Sequence, residues 1–156
     1  ALYQTQGLRS EIYLAVRASS ATDILDFDAR VHAIAKFDQQ SESEDLAALN
    51  KRVGNILDKA DDAEIGASIE EALLVEDAEK ALAATVTEKE AACTPLFDTG
   101  NYQDGMLALT SLKEPITEFF DTVMVNAEDP KVKANRLALL AKIRALFSTT
   151  ADISLL

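Results

Sequence analysis

The chain has 156 residues, with 27 acidic against 15 basic side chains and a formal net charge of −12. This length suits one domain with its own hydrophobic core. A single cysteine excludes an internal disulfide, and with no apolar run of 18 residues and no charged-then-apolar leader we expect a cytoplasmic protein without a membrane partner.

Apolar residues recur with a helical period along most of the chain. Ile24, Phe27, Val31 and Ile34 form one such stripe, and no stretch shows the alternation of a strand. In chain order, we predict helices over residues 8–18, 22–39, 42–60, 69–97, 102–112, 115–126 and 130–148. The sequence therefore predicts an all-α, antiparallel helical bundle that forms one domain over residues 1–156.

Four pairs of residues are spaced as helix start signals. Two have the spacing of a capping box, and two place an acidic residue directly before a proline, which suits the N-cap and first helical positions. The first kind comprises Ser41 with Glu44 and Ser68 with Glu71, and the second comprises Asp129 with Pro130 and Glu114 with Pro115. We expect helices to begin at these four places, and the acidic residues 61–66 to form a mobile connection.

Catalytic constellations are absent from the sequence. His32 is the single histidine and Cys93 the single cysteine, and no glycine-rich phosphate loop occurs. We interpret His32 as a boundary residue and Cys93 as a small core residue. No catalytic residue, metal site or cofactor site is predicted in this chain.

Charge is unevenly distributed along the chain. Residues 58–90 carry eleven acidic side chains against three lysines, whereas residues 131–147 carry five basic and no acidic side chains. A net charge of −12 repels nucleic acid at long range. Any contact with RNA must therefore be local.

Two predicted helices carry a patterned set of cations and amides. On the helix over 42–60, a helical wheel places three such residues together on one exposed side, and on the last helix five flank the apolar stripe. These eight candidate RNA contacts are Arg52, Asn55 and Lys59, then Lys131, Asn135 and Lys142 on one flank, with Lys133 and Arg144 on the other. Solvation of an ordinary charged face is the alternative for each of them. Tyr3, Tyr13 and Tyr102 are candidates for stacking on bases.

Arg136 differs from these candidates because the helical wheel directs it into the apolar stripe. A guanidinium in such a place needs a carboxylate. We predict a structural ion pair for Arg136, with Glu128, Asp121 or Asp152 as its partner.

Several motifs occur in the order in which one family has them. Residues 50–57 (NKRVGNIL) resemble its NKR-x-x-NIL stretch, and the chain closes with ADISLL; between and before these lie FDARV at 27–31, FFDTVMV at 119–125, AEDP at 127–130 and ANRLALL at 134–140. The chain resembles the carboxyl end of the β subunit of bacterial glycyl-tRNA synthetases, an anticodon-binding domain of the DALR type. Asn126 and residues 148–150 depart from the family pattern, which has more apolar residues there.

This resemblance implies a noncatalytic part of an enzyme. In the family, an α2β2 assembly, the α subunit handles glycine, ATP and magnesium, while the β subunit grips the tRNA for glycine. The resemblance thus implies a C-terminal fragment of a longer β subunit that binds the anticodon arm, has no cofactor of its own and has no DNA partner. A docking module that holds the β subunit to its partner subunit, or to its own other domains, is the alternative.

Overall fold

The structure, a computed structural model, describes residues 9–17 and 24–156 of the chain. Within these ranges 78% of the residues are helical and no strand occurs, which confirms the predicted all-α class. The α-helices are α1 (Ser10–Arg17), α2 (Ile24–Asp38), α3 (Ser43–Lys59), α4 (Asp77–Asp98), α5 (Tyr102–Leu109), α6 (Lys113–Thr122) and α7 (Pro130–Ser148). Short 3-10 turns cover residues 62–64, 71–73, 110–112 and 153–155. The ends predicted at residue 8 and at 18–23 lie outside the described residues.

Helix α7 is the central element of the bundle. Its residues 135–140 are six consecutive buried positions, so this part of the helix is covered on every side. Helix α3 runs antiparallel to it, because Asp58 of α3 contacts Arg144 while Glu64, just after α3, contacts Lys133. Helix α4 packs on another side of α7, through pairs described below.

The predicted helix starts have mixed outcomes. Asp129 caps α7 as expected, since its carboxylate accepts the Lys131 N–H at 2.9 Å and Pro130 is the first helical residue. The capping box predicted at Ser41 is wrong, because α3 follows an N-cap residue, Glu42, that has no side-chain hydrogen bond. The start at Glu114 is also wrong: α6 begins at Lys113, directly after a 3-10 turn, and a proline is tolerated within the first turn of a helix.

The start of α4 is displaced by eight residues from the predicted position 69. Residues 61–76 instead pack along α7, where the Gly66 N–H donates to the Ala134 carbonyl at 3.0 Å. Because these tertiary contacts replace helical hydrogen bonds, the capping box predicted at Ser68 does not form; the actual box joins Glu76 and Glu79. The connection at residues 61–66 is therefore anchored rather than loose.

Two helical glycines provide a matched pair for a stability test. A methyl group added at Gly105 would collide with the buried Phe97 ring, whereas one added at Gly54 of α3 meets nothing within 4 Å. We expect Gly105→Ala to lower the free energy of unfolding by about 1–2 kcal/mol, since overpacking outweighs the gain in helix propensity. Gly54→Ala should raise it by about 0.5–1 kcal/mol. Urea unfolding followed by circular dichroism measures both, and equal effects of the same sign would contradict the packing described here.

Candidate nucleic-acid interface

A groove of about 470 Å³ separates α3 from the end of α7. Lys51, Gly54 and Asn55 line its α3 wall, and Arg144 lines its α7 wall. The turn at residues 152–155 closes one end. The groove thus offers side-chain donors, two carboxylates (Asp58 and Asp152) and the backbone of an irregular turn, a mixture that can bind the polar groups of a flexible ligand such as single-stranded RNA.

The closing turn is held in place by residues from the first two described helices. Arg30 of α2 donates to the carbonyls of Thr149 at 2.7 Å and Thr150 at 3.2 Å, at the carboxyl end of α7. The Asp152 N–H donates to the Ala15 carbonyl of α1 at 3.1 Å. Positive charge at the end of a helix also complements its dipole. Helices α1 and α2 consequently hold the turn that closes one end of the groove.

Arg30 is itself held by Asp26 and Tyr102. Its Nε donates to Asp26 at 2.8 Å, and its guanidinium lies 4.8 Å from the centre of the Tyr102 ring. Partial burial raises the pKa of Asp26, but hydrogen bonds from Tyr102 and Arg30 outweigh that effect and hold the pKa below its ordinary value. Asp26 stays ionised at neutral pH, so Arg30 keeps its direction toward α7. Residues 27–31 carried this arginine in the sequence, but Tyr102 and the carbonyls of Thr149 and Thr150 are too distant along the chain to be identified from that motif.

Three of the eight candidate contacts are engaged in ion pairs. Lys142 pairs with Glu90 of α4 at 2.8 Å, Arg144 pairs with Asp58 at 3.3 Å, and Lys133 pairs with Glu64. The hydrogen bond from Lys133 holds the pKa of Glu64 below its ordinary value. Such solvent-exposed ion pairs contribute little to the free energy of unfolding. A phosphate can therefore replace the carboxylate at a small cost.

The three α3 candidates remain exposed. The Arg52 guanidinium lies 4.1 Å from the centre of the Phe120 ring of α6. Asn55 lines the groove, and Lys59 in the last turn of α3 has no ion-pair partner among the described residues. Lys51, which the sequence reasoning missed, is exposed and lines the same groove. The helical wheel that selected Asn55 places Lys51 beside it and would have been enough to find it.

Asn135 is not available for RNA, which corrects its selection as a candidate contact. It is 2% exposed, its side-chain oxygen accepts the Glu70 N–H at 2.7 Å, and its amide donates to the Glu70 carbonyl at 3.1 Å. The wheel placed Asn135 on a flank, but residues 66–74 cover that flank. Lys131, on the same flank, stays exposed and lines a separate hollow against Gly66 and Leu73.

Arg136 is buried and forms an ion pair with Glu79, a partner outside the three that the sequence suggested. Its Nε and Nη2 lie 3.1 and 3.3 Å from the two Glu79 carboxylate oxygens, and its Nη1 donates to the Met124 carbonyl at 2.6 Å. The Glu79 side chain is fully buried and also accepts the N–H groups of Val75 and Glu76. This cluster joins α4, α7 and the connection between α6 and α7.

The candidates therefore do not form one continuous surface. Lys51, Asn55 and Arg144 all line the groove. Arg52, the residue after Lys51, lies outside the groove and contacts Phe120. Lys142 faces α4, and Lys131 lies toward residues 66–74. Among the basic residues, Lys51 of α3 and Arg144 of α7 line the same groove.

The remaining sequence candidates lie elsewhere. Tyr102 is buried against Arg30, which leaves no room for a base, while Tyr3 and the Tyr13 side chain lie outside the described residues. His32 is exposed, with Nδ1 2.8 Å from the Asp28 carbonyl oxygen. Cys93 is buried, and burial raises the pKa of its thiol. Over 9–17 and 24–156, no cluster of three metal-ligating side chains occurs and no helix is long and apolar enough to cross a membrane.

Residues 46–153 match the model of the DALR anticodon binding domain. The chain belongs to the DALR anticodon-binding domain family. Both long walls of the groove, from Asn50 of α3 to Ser148 of α7, fall within the range that matches the DALR domain. Helices α1 and α2 precede it and support the closing turn from outside.

The chain is similar to glycine–tRNA ligase β subunits of several bacteria. The chain is 49% identical over 154 residues to a glycine–tRNA ligase β subunit of Marinobacter nauticus, 51% identical over 156 residues to that of Vibrio campbellii, and 52% identical over 154 residues to that of Vibrio cholerae. These matches cover 99–100% of this chain and 22% of each relative. The chain thus spans about a fifth of the length of the curated relatives it matches.

Proposed function

We propose that this DALR domain binds the anticodon arm of the tRNA for glycine, as part of the β subunit of a glycine–tRNA ligase. The observation that carries the proposal is the family match across both walls of the groove between α3 and α7. The exposed cations of α3 and the exposed amide of Asn55, together with Arg144, supply donors for phosphates and unpaired bases.

The charge of the chain fits a local contact of this kind. With a net charge of −12, most of the surface repels RNA, so a ligand gains by approaching the few cations that lack a tight partner. Catalysis is assigned to the rest of the enzyme: in the proposed α2β2 assembly, the α subunit uses glycine, ATP and magnesium, and this domain needs no cofactor. The assembly would work in the cytoplasm, where tRNA is charged, with no DNA or membrane partner.

Equilibrium binding to two RNAs tests this proposal. The complete protein that contains this domain should bind the tRNA for glycine more tightly than the same tRNA with a foreign anticodon. If three cations contact phosphates, the logarithmic salt slope should be about −2, or roughly fifteenfold weaker binding between about 50 and 200 mM salt.

Equal affinity for the two tRNAs, with no salt dependence, would contradict RNA recognition by this domain. It would favour the docking alternative, in which the domain holds the β subunit to its partner subunit or to its own other domains.

A further inference from the structure

Arg52 differs from the other arginines whose partners the structure describes. Arg9, Arg30, Arg136 and Arg144 each hold a carboxylate, whereas the Arg52 guanidinium lies over the Phe120 ring, 4.1 Å from its centre. Among the described residues no acidic side chain lies within ion-pair distance of it. In a chain with 27 acidic residues, its charge is therefore left without a nearby carboxylate.

The ring beneath Arg52 orders the guanidinium while leaving its donors unused. Phe120 is half-buried and packs edge-to-face against the fully buried Phe119, with ring centres 5.6 Å apart, so it is a firm support. A long arginine side chain loses conformational entropy when it binds a ligand. Contact with an aromatic ring already restricts its rotamers, so less entropy is lost on binding. One side of the guanidinium contacts the ring, and the exposed side chain extends into solvent.

We propose that Arg52, supported by Phe120, is a stacking platform for one unpaired nucleobase of the bound RNA. Guanidinium planes and aromatic rings both stack on bases that are turned out of a loop. Asn55 lies three residues further along α3, on the same side, and its amide has both a donor and an acceptor for the edge of a base. This inference rests on the proposed function, and it places one base at the rim of the groove.

A phosphate contact is the competing role for Arg52, and the two roles respond differently to a conservative substitution. Arg52→Lys keeps the positive charge and thus a phosphate contact, but it removes the planar group. Phe120→Leu keeps an apolar side chain and every charge, but it removes the aromatic support. Arg9→Lys is the matched control, since Arg9 is an exposed arginine held by Asp38, the last residue of α2, and does not line the groove.

The experiment measures binding of the complete protein to anticodon stem–loop RNAs that carry one abasic nucleotide at each loop position in turn. With the unsubstituted protein, one position should weaken binding roughly tenfold when its base is missing, the size expected for one stacked base. Arg52→Lys and Phe120→Leu should each weaken binding of the intact loop severalfold. In these two variants, removal of the base at the sensitive loop position should weaken binding little further. Arg9→Lys should retain the affinity and the abasic profile of the unsubstituted protein.

The outcomes separate this inference from the proposed function. If the intact loop binds but no abasic position shows a reduced effect in Arg52→Lys or Phe120→Leu, the platform is wrong while anticodon binding stands. If Arg52→Lys binds the intact loop with unchanged affinity, Arg52 contacts a phosphate and the platform is again wrong. If the unsubstituted protein does not bind the loop, both are overturned. Thermal melting of each variant excludes unfolding as the cause of weaker binding.

Discussion

Arg136→Glu should lower the free energy of unfolding by about 3–5 kcal/mol, the largest stability effect expected in this chain. The substitution removes the pair with Glu79, leaves the Met124 carbonyl without its donor and sets two carboxylates against each other in a buried place. Because an unpaired buried charge is much more costly than an exposed one, the loss should be independent of any RNA. Urea unfolding with and without tRNA measures it.

A double variant shows whether charge or packing causes that loss. Arg136→Met with Glu79→Gln removes both charges, while a glutamine oxygen can still accept the N–H groups of Val75 and Glu76. We expect this variant to recover most of the stability, since replacement of both members of a buried pair is often nearly neutral. A single Arg136→Glu variant as stable as the parent would show that the buried pair does not exist.

Reversal of two charges on α3 should give the largest effect on RNA binding. If the proposed function is right, Arg52→Glu with Lys59→Glu should weaken tRNA binding by roughly ten- to a hundredfold, and the loss of one phosphate contact at Lys59 should reduce the logarithmic salt slope by about 0.7. The physical reason is that both side chains are exposed cations without a carboxylate partner among the described residues. Glycine-dependent ATP turnover should stay at its original rate, because it is assigned to the α subunit.

The control variant has the same change in net charge, but at positions away from α3. Lys36→Glu with Lys80→Glu alters exposed lysines of α2 and α4, away from the groove between α3 and α7. This pair should reduce tRNA affinity far less. Equal losses in the two double variants would mean that net charge, rather than the α3 surface, controls binding.

Local signals in the sequence were sufficient for much of the fold. The helical period gave α2 and α3 to within about two residues at their described ends, and Asp129 with Pro130 marked the start of α7, because a cap depends on neighbours in the chain. Ser68 with Glu71 had the same kind of local signal and failed. There, the contact between Gly66 and α7 and the hold of Asn135 on Glu70 stabilise a different backbone.

The candidate site was less predictable, because its chemistry depends on partners that are distant in the sequence. The wheel directed Arg136 inward, but Glu79 lies 57 residues away and no pattern connects them. The wheel also assumes one apolar stripe with two solvated flanks. Helix α7 is buried all round over residues 135–140, so a flank position such as Asn135 became interior. The sequence also could not pair Phe120 with Arg52, because the two residues lie on separate helices and are distant along the chain.

The long-range contacts around the closing turn determine when the groove can form during protein synthesis. Arg30 reaches a carbonyl 119 residues later, and Arg144 reaches a carboxylate 86 residues earlier. Contacts over such separations form only after the later partner exists. A nascent chain that ends before α7 therefore lacks the second wall and has no groove. If the proposed function is right, the ability to hold RNA in this groove arises on the ribosome only when α7 and the turn at residues 152–155 have been made.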